Sequence, residues 1–388
     1  MKRRDFISTT TSMAAMTAMP FSALSHIQDV PEKKDKKDGK TVVSILQSDF
    51  MSGSPESNPY HPKFDKSLFQ KEVVQKNIDN IANLLEEAGR RGSDIALTTE
   101  DVKGLYPLIM DIERPELLRE FAETIPGPLT DRFGAIAKKY NMYIITDFIE
   151  KKGNDMHNSA VLIDRKGSVQ GVYRKVQLPV PESYVLKAGN ELPVFETDFA
   201  KIGIAVCYDM AFPEITRILA LQGADMIFMP TGGYGWTEDL GESTLKVRAA
   251  DNFIWFAIAK SSTLFGAGRS AIANPLGQVV ADAGYEQNCV LTSYIDPLST
   301  WIQPENSYGA VLSGVANMRA RLSLERVPSS YKILTDPNPE ILKNYPEAKL
   351  LHDQGKEALL KTIQRLKKQY AKEAQDTEQR VGFRRDIL

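Results

Sequence analysis

The 388-residue chain predicts a layered α/β protein built on two mixed sheets. Three observations carry that expectation. Apolar strand-like runs alternate with amphipathic helical stretches, one hairpin interrupts the alternation, and nothing repeats at a fixed period. Hydrophobic residues make up 42% and charged residues 25%, enough for one large core or two modest ones. Lysine and arginine total 48 against 50 aspartate and glutamate, for a net charge of -2. That balance supplies no basic stripe for nucleic acid and no polybasic patch for anionic lipid, so a small neutral or modestly charged ligand fits better. With two cysteines, Cys207 and Cys289, at most one disulfide can form, and no C-x-x-C spacing marks a redox or zinc site. His26, His61, His157 and His352 are scattered, which argues against a histidine metal cage.

The first element is not expected to belong to the fold. "MKRRDFISTTTSMAAMTAMPFSALSH" sets Arg3 and Arg4 before a weakly apolar stretch, with small residues in "SALS" as a cleavage site near Ser25. Residues 1–25 resemble a twin-arginine signal peptide, which implies export, to the periplasm, of a protein folded beforehand. Residues 26–40 contain "PEKKDKKDGK", a charged linker. No later run approaches the roughly 18 apolar residues that a membrane span needs.

The domain proper is expected over residues 41–331. "TVVSILQSDF" is a strand, and residues 71–91 set Val74, Ile78, Ile81, Leu85 and Ala88 on one helical face before Gly92 stops the run. "DIALTTE" is a short strand ending on Glu100, and "LTDRFGAIAKKYNMYIITDF" repeats helix then strand. Residues 158–178 form a hairpin with "DRKG" as its turn and Lys175 near the end of the second strand. "KIGIAVCYDMAFPE" gives a strand to Val206, a corner at Cys207 and a helix from Pro213 to Leu221, stopped by Gly223. "DMIFMP", "NFIWFAIAKSS" and "RSAIANPLGQVVADAG" add further strands. Residues 332–388 form a charged helical extension in which Leu359, Ile363, Leu366 and Tyr370 share a face that suits either this domain or a partner subunit.

A lone cysteine in an apolar strand is usually a small buried hydrophobe, and that reading is preferred for Cys289. Cys207 differs in place. A side chain at a tight strand-to-helix corner projects above the carboxyl ends of the strands, where ligand crevices form, and a helix start behind it favours thiolate. No histidine occupies a comparable corner, so a papain-like pair has little support. Glu100 is the acid-base group similarly placed, with a solvated loop carboxylate as its bland alternative, and Lys175 is either its partner or a surface cation.

Together "ALTTE", "YRKVQLPVPE" and "GIAVCYDMAFPE" resemble the Glu-Lys-Cys signature of the carbon-nitrogen hydrolase, or nitrilase-like, superfamily. "NSAVLID", "GADMIFMPT", "RAADN" and "GRSAIANPLGQVVADAG" extend the resemblance across residues 41–331. It implies a four-layer α-β-β-α sandwich, a homodimer or higher homo-oligomer, and neither metal nor organic cofactor. Glu100 becomes the general base, Lys175 the electrophilic stabiliser, Cys207 the nucleophile, and Glu182 a second active-site glutamate. The implied reaction takes a small amide to a carboxylic acid and ammonia through a cysteine thioester, with the Tyr208 backbone N–H and Lys175 facing the oxyanion. The loop "TGGYGWTED", with Thr231 and Trp236, is expected to border the pocket, Trp236 serving as either a lid or plain packing. "CYDMAFPE" resembles the amidase-type branch rather than true nitrilases, with Ala211 where those members often carry arginine and Gln177 where a histidine is common. An N-carbamoyl hydrolase shares the same catalytic set and stays open as the alternative, ahead of a nitrilase, an inactive binding module or a thiol-redox protein.

Overall fold

Twelve strands pair as two six-stranded sheets, and the computed structural model describes them within residues 40–376 apart from 52, 233–237, 263–267 and most of 300–312. The expected signal segment and nearly all of the charged linker lie outside the described residues, as does Trp236. The first sheet contains β1 (Thr41–Gln47), β2 (Ile95–Leu97), β3 (Tyr143–Lys152), β4 (Asp155–Ile163), β5 (Val169–Arg174) and β12 (Cys289–Ile295), in the order β12-β1-β2-β3-β4-β5. The second contains β6 (Val194–Glu196), β7 (Lys201–Ile204), β8 (Met226–Thr231), β9 (Trp255–Lys260), β10 (Ala271–Ala273) and β11 (Val279–Asp282), in the order β11-β10-β9-β8-β7-β6. At the centre of each sheet lies a parallel trio, β1-β2-β3 in one and β7-β8-β9 in the other.

Period-two alternation builds the layers. Along β8, Met226 and Phe228 enter the core between the sheets, while Ile227 and Met229 enter the core beneath the outer helices. Along β3, Tyr143 and Ile145 face the other sheet, while Ile144 and Phe148 face helices Lys76–Arg90 and Pro128–Tyr140. Three stacked apolar cores therefore separate helix, sheet, sheet and helix, which is the α-β-β-α sandwich expected from the sequence. Both faces of these central strands are buried, so their sequences read as nearly continuous apolar runs. Helix Pro213–Leu221 seats close on its strand because residue 203 is glycine, where a Cβ would approach the Leu219 side chain to 3.1 Å.

Local signals landed near their places. The helix expected over residues 71–91 is an α-helix from Lys76 to Arg90 preceded by a π-helical stretch, and Gly92 follows at φ +76°. The C-terminal helix starts earlier than its apolar stripe indicates, running Ala348–Asp376. It packs on its own domain: Ile363 is buried, Tyr370 Oη accepts from Asn58 Nδ2 at 3.3 Å, and Lys367 pairs with Glu113. Cys289 opens edge strand β12 half-buried, so the expectation of a packed hydrophobe needs correcting: an edge strand leaves one flank uncovered.

Candidate active site

Strand ends from both sheets converge on one buried cluster. Glu100 follows β2, Lys175 is the residue after β5, and Cys207 opens a 3-10 turn, Cys207–Ala211, just beyond β7. Glu182 begins the short 3-10 helix Glu182–Tyr184, and Thr231 closes β8. The four residues named as catalytic thus come together, although they are spread over more than a hundred positions of sequence.

Lys175 is the hub. Its side chain has no exposure, and its Nζ donates to Glu100 Oε1 at 2.8 Å and to both Glu182 carboxylate oxygens at 3.0 and 3.1 Å. The reading of Lys175 as a surface cation, and that of Glu100 as a solvated loop carboxylate, are both excluded by this burial. Glu100 Oε1 also accepts from Asn158 Nδ2 at 2.9 Å, and Oε2 accepts from the Gly232 N–H at 2.8 Å. The Cys207 thiol hydrogen-bonds with Glu100 and with Thr231.

Burial alone would push the Glu100 carboxyl up, but the Lys175 charge and the bonds from Lys175, Cys207 and Gly232 outweigh it and hold the group below its usual range. Burial would likewise lower Lys175, and the Glu100 and Glu182 charges reverse this and hold it well above the usual lysine value. Glu182 is pushed up to about 7, first by burial and then by the Glu100 charge, against the opposing pull of Lys175. The Cys207 thiol is pushed up by burial and by the Glu100 charge. This corrects the expectation that the corner itself favours thiolate. The α-helix starts only at Pro213, beyond the 3-10 turn, so the helix field that would stabilise a thiolate is not applied at Sγ. Cys207 is thus held as a neutral thiol beside an ionised carboxylate.

The backbone at Cys207 has φ +45°, a left-handed conformation that costs a non-glycine residue roughly 1–2 kcal/mol. Asp209 holds that elbow. Its Oδ2 accepts from the Val206 N–H at 2.8 Å and from Tyr173 Oη at 2.6 Å, and its Oδ1 accepts from the Gln177 N–H at 2.9 Å. One carboxylate therefore grips the residue before the nucleophile and both flanks of Lys175. Sequence reading passed over Asp209, although it stands two places after the cysteine, because its partners lie on a distant hairpin. Asn158 and Gly232 were missed for the same reason. Tyr208 is exposed, its ring packed edge-on against Phe212.

Residues 68–301 match the carbon-nitrogen hydrolase family, and the chain belongs to it. The protein is accordingly an enzyme, a hydrolase of carbon–nitrogen bonds. Over 177 residues it is 36% identical to a probable nitrilase of Schizosaccharomyces pombe, an alignment covering 44% of this chain and 65% of that protein. Over 248 residues it is 30% identical to the N-carbamoylputrescine amidase of Solanum lycopersicum, covering 58% of this chain and 82% of the relative. In fold it is similar to an amidase from Nesterenkonia sp. AN1 solved with acrylamide, at a TM-score of 0.57 and 20% identity over 76% of this chain and 97% of that one. Among the described residues no helix is long and apolar enough to cross a membrane, and no group of three or more His, Cys, Asp or Glu is arranged to hold a metal ion.

Asp209→Asn would place an amide N–H₂ against groups that are themselves donors. Turnover is expected to fall on the order of tenfold or more, since displacing a catalytic group by even 1 Å is costly. Tyr173→Phe removes one of the three donors and should cost less. Equal rates for wild type and Asp209→Asn would show that the clamp does not set the site.

Proposed function

We propose that the protein is an amidase that hydrolyses a small amide to a carboxylic acid and ammonia through a thioester on Cys207. The observation that supports this most directly is the single buried cluster in which a neutral thiol touches an ionised carboxylate while a lysine bridges that carboxylate to a second one. Glu100 takes the thiol proton as Cys207 Sγ attacks the carbonyl carbon. The oxyanion forms against Lys175 Nζ and the Tyr208 backbone N–H. Glu100 then returns the proton to the nitrogen, ammonia leaves, and the thioester remains. Water, deprotonated by Glu100, attacks the thioester carbonyl, releasing the acid and restoring the thiol. Thr231 orients the thiol, and Glu182 holds Lys175 in place.

The amide reading is supported by the "CYDMAFPE" resemblance, and an N-carbamoyl compound is the second reading, supported by the relative from Solanum lycopersicum. Both run on the same residues and differ in product. A screen of small primary amides, N-carbamoyl amines and nitriles decides between them: ammonia alone with a carboxylic acid supports the amidase, and ammonia with carbon dioxide supports the carbamoyl hydrolase. On whichever substrate turns over, Cys207→Ala should abolish activity with the fold retained. Glu100→Gln and Lys175→Met should each lower the rate by roughly a hundredfold or more. Full turnover in any of the three would sink the mechanism.

Glu182 sets a pH dependence. With its carboxyl near 7, it is ionised above that pH and protonates below it, which removes one of the two charges facing Lys175. The expected kcat/KM falls as pH drops through about 7, and in Glu182→Gln the limb at that position disappears. Persistence of an identical limb in Glu182→Gln would assign it to another group, such as Asp101, which burial also pushes up to about 7.

We also propose export by the twin-arginine route to the periplasm, supported by the order of charge, mild apolarity and small residues in 1–25, and a homo-oligomer, supported by the exposed Val327, Ile333, Leu334, Ile341 and Leu342. Replacing Arg3 and Arg4 with lysine should retain the protein in the cytoplasm, and light scattering on the purified protein should give a mass above that of one chain; unchanged export, or a monomer's mass, would remove the respective proposal.

A further inference from the structure

The C-terminal helix Ala348–Asp376 lies wholly beyond the family match, which ends at residue 301. It carries a glycine, Gly355, well inside its length. Glycine in a helix interior costs about 1 kcal/mol relative to alanine, so propensity does not explain it. Packing does. A Cβ at position 355 would come to 3.1 Å from Tyr184 Oη and 3.2 Å from Val180 Cγ1. Those two residues flank Glu182, two places to either side. Lys356 places its ammonium 5.9 Å from the centre of the Tyr184 ring, and among the described residues the buried Tyr184 hydroxyl has no hydrogen-bond partner.

The far end of the same helix is fixed independently. Tyr370 bonds Asn58 and packs edge-on against His61 at 6.3 Å, Lys367 pairs with Glu113, and Ile363, one turn before Lys367, is buried. The helix is thus tied to the domain at one end and pressed against the Glu182 turn near the other. The Glu182 turn itself is held by the Val185 and Leu186 N–H groups donating to the Glu182 carbonyl at 3.1 and 2.8 Å, and the Glu182 carboxylate by its bonds to Lys175 and Asn158.

We propose that the C-terminal helix is a positioning element of the active site, in which Gly355, through Val180 and Tyr184, holds Glu182 against Lys175. The proposal rests on the reading of Glu182 and Lys175 as members of the catalytic cluster. The charged groups facing Glu182 are Lys175 and Glu100 from the two hairpin and strand ends, with Cys207 beside them, while the C-terminal helix contributes Lys356 at the Tyr184 ring. Moving Glu182 away from Lys175 removes the one nearby charge that favours its ionised form, so the acid limb of the rate profile must move to higher pH.

The test uses the full chain. Gly355→Ala adds the single carbon whose contacts are given above, and Gly355→Val adds more. Expected are a fall in kcat on the order of tenfold for Gly355→Val, a smaller fall for Gly355→Ala, and in both an acid limb displaced upward in pH. Tyr184→Phe combined with Gly355→Ala removes the hydroxyl that the new Cβ meets and should restore most of the lost rate. A merely structural helix would lower thermal stability without moving the limb, and that outcome, or a Gly355→Ala enzyme with wild-type kcat and profile, overturns the proposal. Glu182→Gln is the control. If it loses turnover while the Gly355 variants do not, the positioning role fails and the catalytic reading stands; if it retains full turnover, the reading of Glu182 fails first. Should Gly355→Val not fold, the Gly355→Ala pair with its rescue still decides the matter.

Discussion

A single buried ammonium organises this molecule. The Lys175 side chain has no solvent exposure, and an uncompensated charge at such a depth would cost several kcal/mol even after relaxation. Two carboxylates within about 3 Å make it tolerable, and the same contacts fix where those carboxylates must be. The rest of the cluster hangs from that geometry. Among the described residues one cation serves the pair Glu100 and Glu182, and two more buried acids, Asp101 and Asp147, stand near Glu100, the latter pushed well above its usual range by burial and by the Glu100 charge. Glu100 takes the full benefit of Lys175 and of three further donors and stays ionised. Glu182 shares both the lysine and Asn158, but burial and the Glu100 charge outweigh these bonds, which is why it sits near neutrality. Two glutamates on one lysine are thus driven apart in proton affinity by their other neighbours, the usual way in which a site separates a base from a supporting acid.

The fold makes such a cluster possible because two sheets are stacked face to face with a parallel trio in each. Carboxyl ends of parallel strands are where chains leave the layer and side chains are free of ladder constraints. Stacking two trios brings the end of β2, with Glu100, opposite the ends of β7 and β8, with Cys207 and Thr231. The hairpin of β4 and β5 closes the third side. Its register pairs Ser159 with Arg174, and the Lys175 N–H donates to the Asn158 carbonyl at 2.9 Å, so Asn158 and Lys175 arrive together at Glu100. Asp209 then locks the hairpin to the nucleophile turn across the two sheets.

How much of this could be read from the chain depends on how local each signal is. Corners are local: a run of β-formers ending at Glu100, and a strand giving way to Pro213 and a helix after Cys207, are written in consecutive residues, and so is the helix stop at Gly223 with its φ of +100°. The Glu-Lys-Cys grouping was legible as a resemblance. Its hydrogen bonds were not, because Asn158, Gly232 and Asp209 act through partners that the chain brings near only after both sheets form. The protonation of Cys207 was misread for a related reason: the helix start is visible in sequence, but the depth at which the thiol is buried, and the carboxylate charge beside it, are properties of packing. The C-terminal helix shows the same limit. Its stripe through Ile363 and Tyr370 announces a buried face without saying which surface covers it, and Gly355 looks like a flaw in a helix until Val180 and Tyr184 stand against it.

A neutral thiol has a chemical consequence. An enzyme that stores a thiolate separates activation from attack, and its base is idle while the carbon–sulfur bond forms. In the proposed mechanism the proton leaves Sγ as the bond forms, and Glu100, already hydrogen-bonded to the thiol, is the acceptor. At that moment Glu100 becomes a neutral acid in a cluster whose remaining charges are Lys175, Glu182 and the new oxyanion. Its charge has in effect moved onto the oxyanion, which takes over its role as a partner for the lysine, so the net charge of the buried site does not change along the step. Protonated Glu100 is then poised beside the nitrogen that must depart, and an amide nitrogen leaves only after it is protonated. Holding the thiol neutral at rest therefore ties nucleophilic attack and leaving-group protonation to one proton on one carboxylate.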